Sequence, residues 1–352
     1  MIYLPPFILG LMLTLLITPL VRKIALKYQI VDQPAPRKIH NQPVPLLGGL
    51  AIFLSFSIAI AVFWSLGLIT DARITNLQVA VIILAGLTLM LGGFLDDKYN
   101  LKPYQQIIFP LVATLLALLA GLKIQYVTHP LGGILEFPLY LGTILAGVWL
   151  LGMIYTTKFL DGLDGLVSGV TGLGAIIIFL VSLSWDIPES GTSMMALILA
   201  GSALGFLFYN WHPAKVFLGE GGSVFCGFIL GILAIISGSK IATTLLIMGV
   251  PIIDVIWVIL RRLWQGRLPT TPDRKHLHYR LLDIGLSHRQ AVILLYLLTS
   301  AFGLTSLFLN TKGKIVALLF LGIFMAIFAG GLVVIYQFKQ KKINEKNTPA
   351  NF

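Results

Sequence analysis

Three short segments of this chain carry acids where they could work together, Asp96-Asp97, Asp161-Gly-Leu-Asp164-Gly165 and Glu220 within Gly219-Glu-Gly-Gly-Ser223, while Asp254, three residues after Pro251, lies apart within an apolar stretch. Carboxylates brought together raise one another's pKa unless a cation sits among them. Mg2+ prefers hard oxygen ligands, some water and a substrate phosphate, and a cation so held could also hold a nucleotide diphosphate. Asp161 and Asp164 share one face if helical, and Lys158, a turn earlier, could simply pair with Asp161. The Gly-rich turn around Glu220 opens a helix, a setting for an anion cradle or for a plain hairpin between two apolar segments. His276 and His278 lie after Pro269 and Pro272 in a cationic loop, where they could bind phosphate, donate to a sugar or be solvated. Ser287 and Gln290 form a capping box. Asp254 lies roughly 10 Å along a helix from Arg261 and is either functional or a partner for Arg261, Arg262 or a free backbone group.

The elements that position these groups must be membrane helices. The chain has 352 residues, 57% of them hydrophobic and only 11% charged, with a mean hydropathy of +0.92, too apolar for a water-facing surface. Eleven apolar stretches, 6–20, 47–68, 79–95, 107–121, 139–160, 166–185, 194–209, 223–237, 242–260, 291–309 and 316–336, predict about eleven transmembrane helices in an all-α polytopic fold. No soluble domain fits between them, so residues 1–338 read as a single multi-span domain and 339–352 as a basic cytoplasmic tail. Placing the N-terminus outside leaves 20 of the 25 Lys and Arg residues, and the C-terminus, in the cytoplasm. Asp96, Asp97, Asp161, Asp164 and Glu220 then crowd the cytoplasmic rim. The first apolar run lacks a preceding basic region and reads as a retained span. Cys226 is alone, which excludes an intrachain disulfide and a Cys-based metal site. The net charge of +11 reflects topology and attraction to anionic headgroups and substrates rather than nucleic acid.

Taken together, Gly92-Gly-Phe-Leu-Asp96-Asp97, Asp161-Gly-Leu-Asp-Gly-Leu166, Asn210-Trp-His-Pro-Ala-Lys-Val-Phe-Leu-Gly-Glu-Gly-Gly-Ser223, Pro251-Ile-Ile-Asp254 and Pro272-Asp-Arg-Lys-His-Leu-His278 resemble the polyprenyl-phosphate N-acetylhexosamine-1-phosphate transferases of glycosyltransferase family 4. The first loop, with Asp32, Arg37, Lys38, His40 and Pro45-Leu-Leu-Gly-Gly49, is similar to that family's entry loop. The His-Leu-His form resembles the undecaprenyl-phosphate GlcNAc-1-phosphate transferase branch more than the phospho-N-acetylmuramoyl-pentapeptide transferase branch. The resemblance implies an inner-membrane enzyme that moves GlcNAc-1-phosphate from a cytoplasmic UDP-N-acetylhexosamine to undecaprenyl phosphate and releases UMP, the first membrane step of a cell-envelope polysaccharide such as teichoic acid or lipopolysaccharide. It implies Asp96 and Asp97 as metal ligands or as the base for the acceptor phosphate. Asp161, Asp164 and Glu220 would organise Mg2+, or Mn2+, and the nucleotide. His276, His278 and Arg274 would contact the diphosphate or sugar, with Lys38, His40, Lys158 and Asn210 also at the substrate. The bilayer is the third partner, and a homodimer is kept as an option.

This chain departs from the family's pattern at three positions: Lys158 where Asn is usual, Glu220 where Asp is usual, and Gln106 near a usual Lys. The expectation is that Lys158 supplies a fixed positive charge beside the diphosphate, with Glu220 reaching a shifted metal or Lys158 itself. A transporter would place its acids near the midplane rather than at one rim. The CDP-alcohol phosphatidyltransferase pattern fails because Leu-Val-Ser follows Asp164-Gly165.

Overall fold

The computed structural model describes residues 2–34, 42–129, 132–185, 190–236, 240–266 and 276–347, with side chains described as far as 339. Fourteen helices dominate: α1 (Leu4–Lys27), α2 (Gly48–Ser65), α3 (Asn76–Tyr99), α4 (Pro103–Gln106), α5 (Ile108–Leu119), α6 (Leu139–Leu160), α7 (Leu166–Trp185), α8 (Gly191–Asn210), α9 (Gly219–Ile236), α10 (Ile241–Ile247), α11 (Gly249–Trp264), α12 (Leu277–Asp283), α13 (His288–Phe308) and α14 (Thr311–Asn347). Two minimal antiparallel pairs complete it, β1 (Val31–Asp32) with β2 (Val44–Pro45), and β3 (Tyr126–Thr128) with β4 (Ile134–Glu136).

All eleven apolar stretches are helical, but they are not equivalent. Among the described residues nine helices are long and apolar enough to cross a bilayer. The stretch at 242–260 is the bent pair α10–α11, which turns by 76°. Gly249 and Pro251 open α11 at that break, and Pro251 has no N–H to continue the ladder. The stretch at 107–121 corresponds to the shorter α4–α5 segment, Pro103–Leu119. α14 runs without a break from its apolar part into the Lys-rich end of the chain.

Lipid tails give apolar side chains little reason to leave the bilayer, so helix association rests on close backbone approach and polar contacts. α1 lies against α8 in this way. A Cβ on Gly201 would fall 2.1 Å from the Phe7 carbonyl oxygen, and one on Gly10 would fall 2.6 Å from that of Ile198. Tyr209 Oη donates to the Leu15 carbonyl at 3.0 Å along the same seam.

α9 is the central helix. In its membrane-spanning window 94% of residues are buried. Its first turn is pinched between α2 and α3: a Cβ on Gly93 would lie 2.1 Å from the Gly221 nitrogen, and one on Gly49 would lie 2.1 Å from Gly222 Cα. Strand-like bonds lock the approach to that turn. Phe217 N donates to Pro45 O at 2.8 Å, Gly48 N to Phe217 O at 2.9 Å and Gly49 N to Leu218 O at 2.6 Å. α6 closes the third side, with Trp149 Nε1 donating to Gly231 O at 3.1 Å. At the opposite end of the bundle, Asp71 Oδ2 accepts from Gly191 N at 2.8 Å and joins the α2–α3 loop to the start of α8.

Gly93→Ala should therefore lower the apparent melting temperature in detergent, against the ~1 kcal/mol that Ala gains over Gly in a helix. The overpacking cost is about 1–3 kcal/mol. Gly152→Ala on α6, where an added Cβ meets nothing within 4 Å, is the control and should not destabilise. Equal melting temperatures for the two variants would remove the steric argument.

Candidate active site

A cavity of about 1130 Å³ opens at the end of the bundle where α3, α6 and α8 finish and α7, α9 and α13 begin. Asp96, Asp97, Asp161, Asp164 and Glu220 all line it. The pinch of α9 against α3 places Glu220 beside Asp97, whose Oδ1 accepts the Glu220 backbone N–H at 3.1 Å. Gly219 has φ +75, and a Cβ there would come within 2.6 Å of Asp97 Oδ2, so only glycine makes this turn without moving the carboxylate.

Lys158, in the last turn of α6, joins the acids into one network. Its Nζ is 2.5 Å from Glu220 Oε1 and donates to Gln106 Oε1 at 2.9 Å. Gln106 Nε2 in turn donates to Asp96 Oδ1 at 3.0 Å, and Leu101 N donates to the same oxygen at 2.8 Å. Lys158 therefore pairs with Glu220, while the simplest sequence alternative had it pairing with Asp161. Gln106 carries the contact on to Asp96.

Asp161 faces the cavity and makes no side-chain hydrogen bond among the described residues. Although the side chain is open to the cavity, crowding by protein atoms around it, and then the charges of Glu220, Asp97 and Asp164, push its carboxyl up to about 8. Asp164 Oδ2 accepts from Ala214 N at 3.1 Å and lies 2.6 Å from His212 Nδ1. Hard oxygen donors from three segments thus converge on one space with negative charge in excess. Asp161, Asp97 and the second oxygens of Asp164 and Glu220 line this space, although among the described residues no three of these carboxylates bring an oxygen each within 4.8 Å of one another.

The histidines of α12 sit behind this wall. His276 Nδ1 is 2.9 Å from Asp254 Oδ2, and Leu277 N donates to Asp254 Oδ1 at 2.9 Å. Asp254 is thereby occupied in holding α12 to α11. His276 is buried, with its ring 5.8 Å from that of Phe159 and 5.7 Å from that of His278. His278 is also buried, and a Cβ on Gly162 would lie 2.1 Å from its Nε2. Desolvation, followed by the neighbouring His276 and His288, pushes His278 down to about 3. It is a neutral ring packed against the 161–165 turn.

Asn210 lines the cavity with its amide bonded into the scaffold. Its Oδ1 accepts from Gly165 N at 3.0 Å and from Ser168 Oγ at 3.1 Å, and its Nδ2 donates to Val216 O at 3.0 Å. Lys38, His40 and Arg274 lie outside the described residues. Two residues that the sequence reading passed over, His212 and His288, belong to the cavity wall. His212 stood inside a quoted motif and His288 directly after a helix cap, but a lone His in either setting carries no spacing signal.

The family model of glycosyl transferase family 4 matches residues 79–238. The chain is 35% identical over 317 residues to a probable undecaprenyl-phosphate N-acetylglucosaminyl 1-phosphate transferase of Bacillus subtilis, covering 87% of this chain and 84% of that one. It is 31% identical over 343 residues to a decaprenyl-phosphate N-acetylglucosaminephosphotransferase of Mycolicibacterium smegmatis, covering 90% and 84% of the two chains. With an undecaprenyl-phosphate alpha-N-acetylglucosaminyl 1-phosphate transferase of Yersinia pestis the identity is 30% over 297 residues, covering 78% and 76%.

Two stability measurements test the geometry. The side chains of Lys158 and Glu220 are 17% and 22% exposed, so their pair lies between a surface contact and a fully buried one. Lys158→Met should cost about 1–3 kcal/mol by stranding Glu220, and adding Glu220→Leu should return part of that loss. Strictly additive effects in chemical denaturation would disprove the coupling. Asp161 gives a pH test. Between its ordinary 3.8 and about 8 the folded chain holds a proton that the unfolded chain has released, so this group's stabilising contribution is lost as pH rises through the window. Melting temperatures taken from pH 6 to 9 should fall less steeply in Asp161→Asn than in the parent.

Proposed function

The chain belongs to glycosyl transferase family 4, and from that premise we propose that it transfers N-acetylglucosamine 1-phosphate from UDP-GlcNAc to undecaprenyl phosphate, releasing UMP. The observation that carries this reading is the convergence of Asp97, Asp161, Asp164 and Glu220 on one cavity at one end of a membrane bundle, with the Lys158 ammonium paired to Glu220. Such a site suits two phosphorylated substrates, one of them anchored in lipid.

A phosphate oxygen of the lipid acceptor attacks the sugar-bearing phosphorus of UDP-GlcNAc. The bond from that phosphorus to the bridging oxygen breaks, and UMP leaves with the electron pair. Phosphoryl transfer of this kind depends on positioning and on neutralising charge. Asp97 is the candidate base for the acceptor's remaining proton, because its Oδ1 is tied to Glu220 N while Oδ2 faces the turn at Gly219. Asp96, held by Leu101 and Gln106, supports the network that orients Lys158. Lys158 places a fixed positive charge beside the diphosphate, and Asp161, Asp164 and the free oxygen of Glu220 are the residues that would hold Mg2+ or Mn2+. When bound, that ion would neutralise diphosphate charge. His278 acts through the 161–165 turn, which it packs against from behind, and His276, bonded to Asp254, stacks behind His278.

The distribution of Lys and Arg supports an N-terminus outside, a C-terminus in the cytoplasm and a cavity on the cytoplasmic face of the plasma membrane. The UDP-sugar would then arrive from solution and the acceptor from the bilayer.

Purified protein incubated with undecaprenyl phosphate and a panel of UDP-sugars should release UMP with UDP-GlcNAc. Asp97→Asn and Asp164→Asn should each reduce the rate by about 10²-fold or more. Unchanged release in both variants would remove this site from the reaction, and release from no UDP-sugar would remove the activity. Cation binding has a readout of its own. Because desolvation and the neighbouring acids raise the carboxyls of both Asp161 and Asp97, Mn2+ binding measured by calorimetry in two buffers should release protons and tighten from pH 7 to pH 8. Asp161→Asn should reduce that proton release.

A further inference from the structure

Asp164 does not stand alone on the cavity wall. Its Oδ2 accepts from Ala214 N at 3.1 Å and meets His212 Nδ1 at 2.6 Å. The His212 ring stacks on that of His288, with centroids 4.0 Å apart and planes 11° from parallel. Arg289 Nε donates to the His212 carbonyl at 3.0 Å, and Ser287 caps α13 at the residue before His288. Neither His288 nitrogen meets a full hydrogen-bond geometry among the described residues, and the ring touches the site through this stack and through Asp164 beside it.

Asp164, His212 and His288 place one ligand atom each within 4.8 Å of the others, which raises the question of a shared metal ion. The geometry argues against one. An ion bound to two imidazoles lies near the plane of each ring, and nearly parallel stacked rings cannot both meet that condition. The 2.6 Å contact is also shorter than the roughly 3.3 Å between ligands on a tetrahedral ion at 2.0–2.1 Å. It is a hydrogen bond. Since a carboxylate only accepts, His212 carries its proton on Nδ1.

We propose that His212 and His288 are positioning residues for Asp164: His212 donates Nδ1–H to Oδ2 and aims Oδ1 into the cavity, while His288 holds the His212 ring in that orientation by stacking. The inference rests on the proposed function only in treating Asp164 as a site carboxylate.

The test uses full-length protein in detergent. His212→Leu should lower kcat about 100-fold, with KM for UDP-GlcNAc changed less than about threefold if the loss is one of orientation rather than of binding. His212→Asn, whose amide can donate from near the Nδ1 position, should recover to within about tenfold of the parent. His288→Phe keeps a flat ring and should retain more kcat than His288→Ala. Nitrogen-15 NMR of histidine-labelled protein gives a readout independent of turnover: the His212 Nδ1–H signal should shift in Asp164→Asn and in His288→Ala. Unchanged kcat in His212→Leu, no recovery in His212→Asn, or a His212 signal indifferent to Asp164→Asn would each overturn the proposal. So would micromolar Zn2+ binding that His288→Ala abolishes, which would make the three residues metal ligands. If the parent releases no UMP, the reaction assignment fails and the NMR arm still decides the His212–Asp164 bond.

Discussion

Backbone contact between α9 and its neighbours is the constraint on which the rest of the site depends. Where Gly93 meets Gly221 and Gly49 meets Gly222 there is no room for a single extra carbon. Only that approach lets the Glu220 N–H reach Asp97 and brings the Glu220 carboxylate to Lys158 on α6. The apolar bulk of the bundle could be built in many ways, since any lipid-soluble side chain satisfies the bilayer. The glycines admit one. Steric closeness thus becomes electrostatic closeness, and acids that would repel one another across open water are fixed within a single network.

How that repulsion is handled divides the site in two. On one side Lys158 supplies a permanent positive charge, relayed by Gln106 to Asp96. On the other, Asp161 has no such partner among the described residues, and its carboxyl is pushed up accordingly. Gln106, Lys158 and Glu220, the three positions that the resemblance set apart, are one bonded group. A change at any one of them would be felt by the other two, as expected within one charge network.

Much of this was legible in the sequence because membrane helices obey simple rules. Length and apolarity located the membrane-spanning helices that line the cavity, though not the short α12, and the Asp-Asp, Asp-Gly-Leu-Asp-Gly and Gly-Glu-Gly-Gly segments pointed to acids at their ends. What periodicity could not supply was partner identity. Lys158 and Gln106 are 52 positions apart, and Asp164 and His212 are 48 apart. Asn210, expected at the substrate, lines the cavity with its amide engaged from both ends, Oδ1 by Gly165 and Ser168 and Nδ2 by the Val216 carbonyl. Asp254 looked like an intramembrane acid in search of a task, and α12, folding back from a loop, provided the donors. The short α4–α5 segment and the bend at Gly249 also eluded an apolar count, since hydropathy measures solubility in lipid and says nothing about direction.

The burial of α9 has a consequence for how the chain is made. This helix scarcely meets lipid, so its native place is defined mainly by α2, α3, α6, α7 and α8, with α10 added afterwards, rather than by the bilayer. The first five precede it in sequence. A polypeptide delivered to the membrane from its N-terminus will have presented every one of those walls before α9 emerges from the ribosome. The active-site turn at Gly219 then arrives at a socket already synthesised, and α10 to α14 can follow without having to part it.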